Sequence, residues 1–141
     1  MQYIGFVGSS KADRLTVVWQ RAEESILKSI TSKLKEYSPT DTTIVSGGGK
    51  GIDKMSIKSA KEMGFKTIEY RPTSKNWVEY KKRNLQIASK CDKIISFALK
   101  LGTLGEKQCY HCSRAGRDNN HEKTAGCYTG YKNGNYEVVI V

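Results

Sequence analysis

The sequence predicts one three-layer α/β domain: a five-stranded, mostly parallel Rossmann-like sheet, ordered 3-2-1-4-5, with helices on both faces. Three observations carry that expectation. Short apolar runs alternate with segments of helical period along most of the 141 residues. The runs are apolar on both sides, as strands covered by helices on both faces must be. Two strand-to-helix turns are rich in glycine and serine, the composition needed at the carboxyl edge of such a sheet, where ligands bind.

The elements follow in order. Gln2 to Val7 is a strand running into the turn Gly8-Ser9-Ser10. From Leu15 to Tyr37, Val18, Ala22, Ile26, Ile30 and Leu34 recur at helical spacing, and Ser38-Pro39-Thr40-Asp41 ends that helix. The β-branched run Thr42 to Val45 leads into Ser46-Gly47-Gly48-Gly49-Lys50-Gly51, after which Ile52, Met55, Ala60 and Met63 predict a second helix closed by Gly64. Thr67 to Tyr70 is the third strand and Arg71 to Trp77 a loop. Val78 to Lys90 is a third helix with Leu85 and Ala88 inward, and Lys93 to Phe97 is the fourth strand. Residues 98–123 lose periodicity and gather glycines, Asp118, Asn119, Asn120, two cysteines and both histidines, which marks a long functional loop or a small insert. Thr124-Ala125-Gly126-Cys127 opens a short helix through Tyr131, and Glu137 to Val141 is the last strand. The expectation is a single domain over 1–141, with a zinc-knuckle insert over 98–127.

Composition narrows the function classes. Lys and Arg total 24 against 14 Asp and Glu, a net charge of +10, and residues 50–93 hold 12 basic and 5 acidic side chains. A surplus of that size beside the glycine-rich turn suggests an anionic partner, although lysines on solvated helix faces give the same count. No apolar stretch has the roughly 20 residues of a membrane span, and the first residues lack a signal-peptide layout, so a cytoplasmic location without membrane association is expected.

The motif richest in chemistry is Val45-Ser46-Gly47-Gly48-Gly49-Lys50-Gly51-Ile52-Asp53, between a strand and a helix. Glycines let backbone N–H groups approach an anion, and a helix N-terminus adds a favourable dipole. The string is neither a Walker A loop nor G-x-G-x-x-G, which disfavours P-loop triphosphate hydrolysis.

That run, the turn F-V-G-S-S, and R-P-x4-N-W followed by K-R-N-L-Q-I-A together resemble the SLOG superfamily of Rossmann-like domains. It includes LOG phosphoribohydrolases, the DNA-processing protein DprA/Smf and YspA-like stand-alone members. The resemblance implies that Gly8, Ser9 and Ser10, with Ser46, Gly47, Gly48, Gly49, Gly51 and Asp53, cradle a nucleotide phosphate or ribose, with Asp53 fixing the turn or a sugar hydroxyl. It implies that Arg83-Asn84 is the pair beside the ligand, where a guanidinium holds phosphate bidentately. Arg71 and Trp77 extend this set, Trp77 as a stacking partner for a base. LOG enzymes carry P-G-G-x-G-T-x-x-E, and this chain has no such string. Leu101 to Glu106 and Thr124 to Thr129 compete for its place; the second, with Thr124 and Gly126, has the better position but no carboxylate after it. Catalytic residues are therefore unknown, with Glu106, Glu122 or Asp53 as acid or base if an N-glycosidic bond is hydrolysed.

Cys109-x2-Cys112-x8-His121-x5-Cys127 offers three thiolates and an imidazole, the donor set of a structural Cys3His zinc site, and His111 could substitute. Free thiols, or a Cys109–Cys112 disulfide, are the alternatives. The functional expectation is binding of a nucleotide or nucleotide-derived ligand, with or without N-glycosidic hydrolysis. The alternative is a DprA-like module for single-stranded nucleic acid, and homodimerisation is compatible with either.

Overall fold

The structure, a computed structural model, describes residues 1–9 and 16–141; Ser10, Leu15 and the Val18 side chain lie outside what it describes. The elements are β1 (Gln2–Gly8), α1 (Thr16–Leu34), β2 (Thr42–Gly47), α2 (Ile52–Glu62), β3 (Lys66–Tyr70), α3 (Trp77–Lys90), β4 (Lys93–Ala98), α4 (Tyr110–Arg114), α5 (Ala125–Asn133) and β5 (Tyr136–Ile140). The strands form one sheet in the order β3-β2-β1-β4-β5, every pairing parallel. The expected three-layer α/β architecture and strand order are present.

The two faces follow from strand alternation. Ile4 and Phe6 of β1, Ile44 of β2, and Ile95 and Phe97 of β4 pack with Ile26, Ile30 and Leu34 of α1 and with Ile52 and Ala60 of α2. Val7, Val45 and Ile94 point the other way, onto Ile87 of α3, Cys109, Cys112 and Cys127. Each face therefore takes alternate residues of the same strands, as the pleat requires. Ile26, Ile30 and Leu34 are fully buried, so the long period of the first helix is its core stripe.

Two sequence expectations change. Leu85 is not inward: it is exposed, and the buried positions of α3 are Arg83, Asn84, Ile87 and Ala88. The stretch 98–123 is not without structure of its own. It carries α4, and its two limbs are zipped by the antiparallel bridge between Gln108 and Glu122, with Cys109 N donating to His121 O (3.0 Å) and Lys123 N to Lys107 O (2.8 Å). Glu122 N donates to Leu99 O (2.8 Å), and its buried carboxylate accepts from the N–H groups of Leu104 (2.8 Å) and Gly105 (3.0 Å). These bonds tie the segment to the end of β4.

Candidate functional site

Because every strand is parallel, the carboxyl ends of β1, β2 and β4 and the starts of α2, α3 and α5 lie along one edge. The strand order reverses at β1, between β2 and β4, so Gly8 stands at the switch point where a crevice opens. The three helix starts differ. Asn76 caps α3 by accepting from Glu79 N (3.0 Å), and Thr124 caps α5 by accepting from Gly126 N (3.1 Å). Gly51 caps α2 with no side-chain acceptor, at φ 97°, a backbone that L side chains rarely adopt. The positive end of α2 is thus left to groups beyond its own cap.

Asp53, in the first turn of α2, turns back under the glycine-rich loop: Gly8 N donates to its Oδ1 (3.3 Å), and Gly49 N supplies a second backbone hydrogen bond. Burial pushes its pKa up from 3.8 to about 6, against the opposing pull of the Arg83 guanidinium and the two N–H groups. The carboxylate thus joins the β1 turn to the β2 turn. Ser46, buried beneath them, donates its hydroxyl to Phe6 O.

The pH dependence follows from the sign of that shift. A carboxyl with a higher pKa in the folded protein holds its proton more tightly there, so its contribution to stability falls as pH rises from about 4 through 6. Two pKa units correspond to roughly 3 kcal/mol. Asp53→Asn is expected to gain stability relative to the wild-type protein as pH rises from 4 to 7, by up to about 2–3 kcal/mol in urea unfolding. An equal difference at both pH values would show that the Asp53 carboxylate is solvated.

Arg83 reaches the same point from α3. Its Nε donates to Asn84 Oδ1 (2.9 Å), whereas its Nη1 and Asn84 Nδ2 are buried without a hydrogen-bond partner. A Cβ at Gly47 would fall on Arg83 Nη1 and within 2.7 Å of Asp53 Oδ2, so the glycine lets both charged groups close on the β2 turn from either side. Arg83 and Asp53 are close enough to interact but form no ion pair. On the far side, a Cβ at Gly126 would meet Ser96 Oγ at 2.7 Å and Gly8 N at 3.3 Å, which brings the start of α5 against the end of β1.

The edge thus gathers Gly8, Ser46, Gly47, Asp53, Arg83, Asn84 and Gly126. Arg71 packs its side-chain carbons over Gly48 but is exposed and pairs with Glu69 at 3.3 Å. Trp77 lies farther out, 59% exposed, with its ring 6.1 Å from that of Tyr128.

The Cys/His cluster is the second assembly. One donor atom from each of Cys109, Cys112, His121 and Cys127 lies within 4.8 Å of every other, and all four residues are buried. Cys127 belongs to the first turn of α5, so the cluster joins the knuckle to a helix of the main fold. The Cys109 thiol is pushed down to about 5, chiefly by a hydrogen bond from Cys127, whose own thiol is pushed up. His121 Nδ1 lies 2.9 Å from Glu122 O, and its Nε2 is buried with no partner. A neutral imidazole donating from Nδ1 to that carbonyl presents an Nε2 lone pair, the tautomer of a zinc ligand with its outer hydrogen bond made. Tyr136 Oη reaches Cys112 Sγ (3.4 Å) and Ser96 Oγ lies near Cys127 Sγ (3.3 Å), as outer partners of metal thiolates do. The donor set fits zinc. His111 stands outside the cluster, its ring beside Tyr110 and Tyr128.

Residues 1–101 match the model of the family described as DNA recombination-mediator protein A, which spans β1 through β4 and includes the glycine-rich turn and Arg83-Asn84. The chain belongs to the DNA recombination-mediator protein A family. The SLOG resemblance read from the motifs is thereby borne out. A search of curated proteins finds no match. Among solved structures, the X-ray structure of TM1055, a structural-genomics target, is similar at a TM-score of 0.52 and 16% identity, covering 74% of this chain and 65% of that one. That likeness supports the Rossmann-like fold of this DNA recombination-mediator protein A family member. The Cys/His knuckle begins after the matched residues end. Among the described residues, no helix is long and apolar enough to cross a membrane.

Proposed function

We propose that the carboxyl edge binds a nucleotide unit through its phosphate, with Arg83 and Asn84 on one side and the Gly47 to Gly51 turn and the uncapped start of α2 on the other. The single observation that carries this is the buried, unpartnered Nη1 of Arg83 aimed at Gly47. A buried donor left unpaired costs about 1–3 kcal/mol, more when charged, and an anion in the crevice would remove that cost. Gly8, Ser9, Ser46, Gly48, Gly49, Asp53, Thr124 and Gly126 shape the crevice, and Arg71 stands at its rim. Glu122 is buried in the knuckle with its Oε2 held by two backbone N–H groups, and Glu106 is exposed, which supports binding over N-glycosidic hydrolysis.

Calorimetric titration with AMP, ribose 5-phosphate and a short oligothymidylate tests the reading. At least one is expected to bind, and Arg83→Met is expected to weaken it tenfold or more. Equal affinity in the variant would sink the proposal. The second reading, a site for single-stranded nucleic acid, is favoured by family membership and by the +10 charge. It expects affinity to grow with strand length and to fall steeply with salt.

We also infer that Cys109, Cys112, His121 and Cys127 hold one structural Zn2+, which would fix the knuckle against α5. The protein is taken to act in the cytoplasm, where thiolates stay reduced and available to the metal.

A further inference from the structure

Beyond the crevice, four aromatic rings stand in succession on the α3–α5 side of the edge. Trp77 of α3 lies 6.1 Å from Tyr128 of α5 and tilted to it by 59°, Tyr128 meets His111 of α4 edge-on at 5.6 Å, and His111 lies 4.2 Å from Tyr110, tilted by 43°. Trp77 is 59% and Tyr110 47% exposed, an unusual outlay of large rings at a polar edge. Tyr128 Oη is buried with no hydrogen-bond partner, so a donor or acceptor from outside would complete it. Cations accompany the rings: Arg114 lies 5.4 Å from Tyr110, and Lys132 lies 5.8 Å from Tyr128. Exposed rings interleaved with cations are what unstacked bases and their phosphates require together.

We propose that Trp77, Tyr128, His111 and Tyr110 form a base-stacking ridge for single-stranded nucleic acid. The strand would continue from the phosphate held at Arg83, so the inference rests on the crevice reading above. Arg83 and Trp77 are six positions apart on α3, about 9 Å along its axis and about 120° around it, so the helix holds the phosphate partner on its buried side and the first ring on its exposed side. The succession of rings favours a strand over a mononucleotide, because it offers more than one base a stacking face. Two of the rings, Tyr110 and His111, lie between the cysteines Cys109 and Cys112, which gives the Cys/His cluster a role in holding the ridge.

Fluorescence anisotropy of the full chain with labelled oligothymidylate, with an abasic strand of the same length, and with AMP in competition tests the ridge. Trp77→Ala and Tyr110→Ala are each expected to weaken oligothymidylate binding about tenfold while leaving the abasic strand unchanged, and Trp77→Phe to keep most of the affinity. Equal losses on both strands, or no loss on either, would overturn the ridge while the crevice reading stands. An equal loss for AMP would overturn the strand as its occupant in favour of a single base. If the wild-type protein binds none of the three, the crevice reading fails and the ridge falls with it.

Discussion

Cys112→Ser is expected to lower the melting temperature by about 10 °C or more, and elemental analysis is expected to find about one equivalent of zinc in the wild-type protein and none in the variant. Cys112 is fully buried, its sulfur receives the Tyr136 hydroxyl, and it lies in the face of the core formed with Val7, Val45 and Ile94. A structural zinc supplies on the order of 10 kcal/mol of apparent binding energy, and stability shared between metal and fold is lost with either. The knuckle has few apolar side chains to hold it otherwise: α4 is five residues long, with Cys112 alone buried. Because Cys127 belongs to α5, the disturbance would spread to the helix that packs on β4 and on Gly8. Wild-type protein that is free of zinc and as stable after chelation as before would show that the thiols pack as a small apolar cluster.

Gly8→Ala is expected to cost about 2–4 kcal/mol of unfolding free energy, measured by urea denaturation at neutral pH. A Cβ there would come within 2.6 Å of Phe97 O and 2.8 Å of Ile52 side-chain carbons. The first neighbour is backbone of the adjacent strand and the second a fully buried side chain, so neither gives way cheaply. Gly47→Ala offers the contrast. Its Cβ would meet the ends of two side chains, Arg83 and Asp53, so the strain is relieved by turning the guanidinium aside at a small cost in stability. Comparable stability losses in the two variants would mean that the Arg83 guanidinium is as rigidly held as the sheet.

These contrasts show which parts of the molecule its sequence declares. Strand order and helix placement were legible because Ile26, Ile30 and Leu34, or Ile44 and Val45, obey the period of their element and bury accordingly. In α3 the same logic misplaced Leu85. Arg83 and Asn84 take the inward face there because it borders a crevice rather than the core, so apolar period points away from a functional polar face. The glycine-rich turn announced itself through composition, but that Asp53 bends beneath it to Gly8 depends on two turns meeting across the sheet. The cysteine spacing disclosed the donor set, and the small-residue turn Thr124 to Cys127 placed its last thiol at the start of the final helix, where α5 carries it. Tyr128 carried no signal beyond being aromatic, and His111 read as a substitute metal ligand, because the rings that neighbour them come from separate elements. The short α4 escaped notice since five residues hold too little period to read.

The most direct measurement of the central claim is a titration of isotopically labelled protein with AMP and with oligothymidylate, following backbone amides and the Arg83 side-chain Nε–H by NMR. The largest shifts are expected on Gly47 to Gly51, Gly8 and Arg83 Nε–H, and those of the backbone amides are expected to vanish in Arg83→Met. Shifts concentrated instead on Lys54, Lys58 and Glu62 of α2 and Leu27 of α1, which line a groove of about 430 Å³, and unchanged in Arg83→Met, would contradict a phosphate site at Arg83.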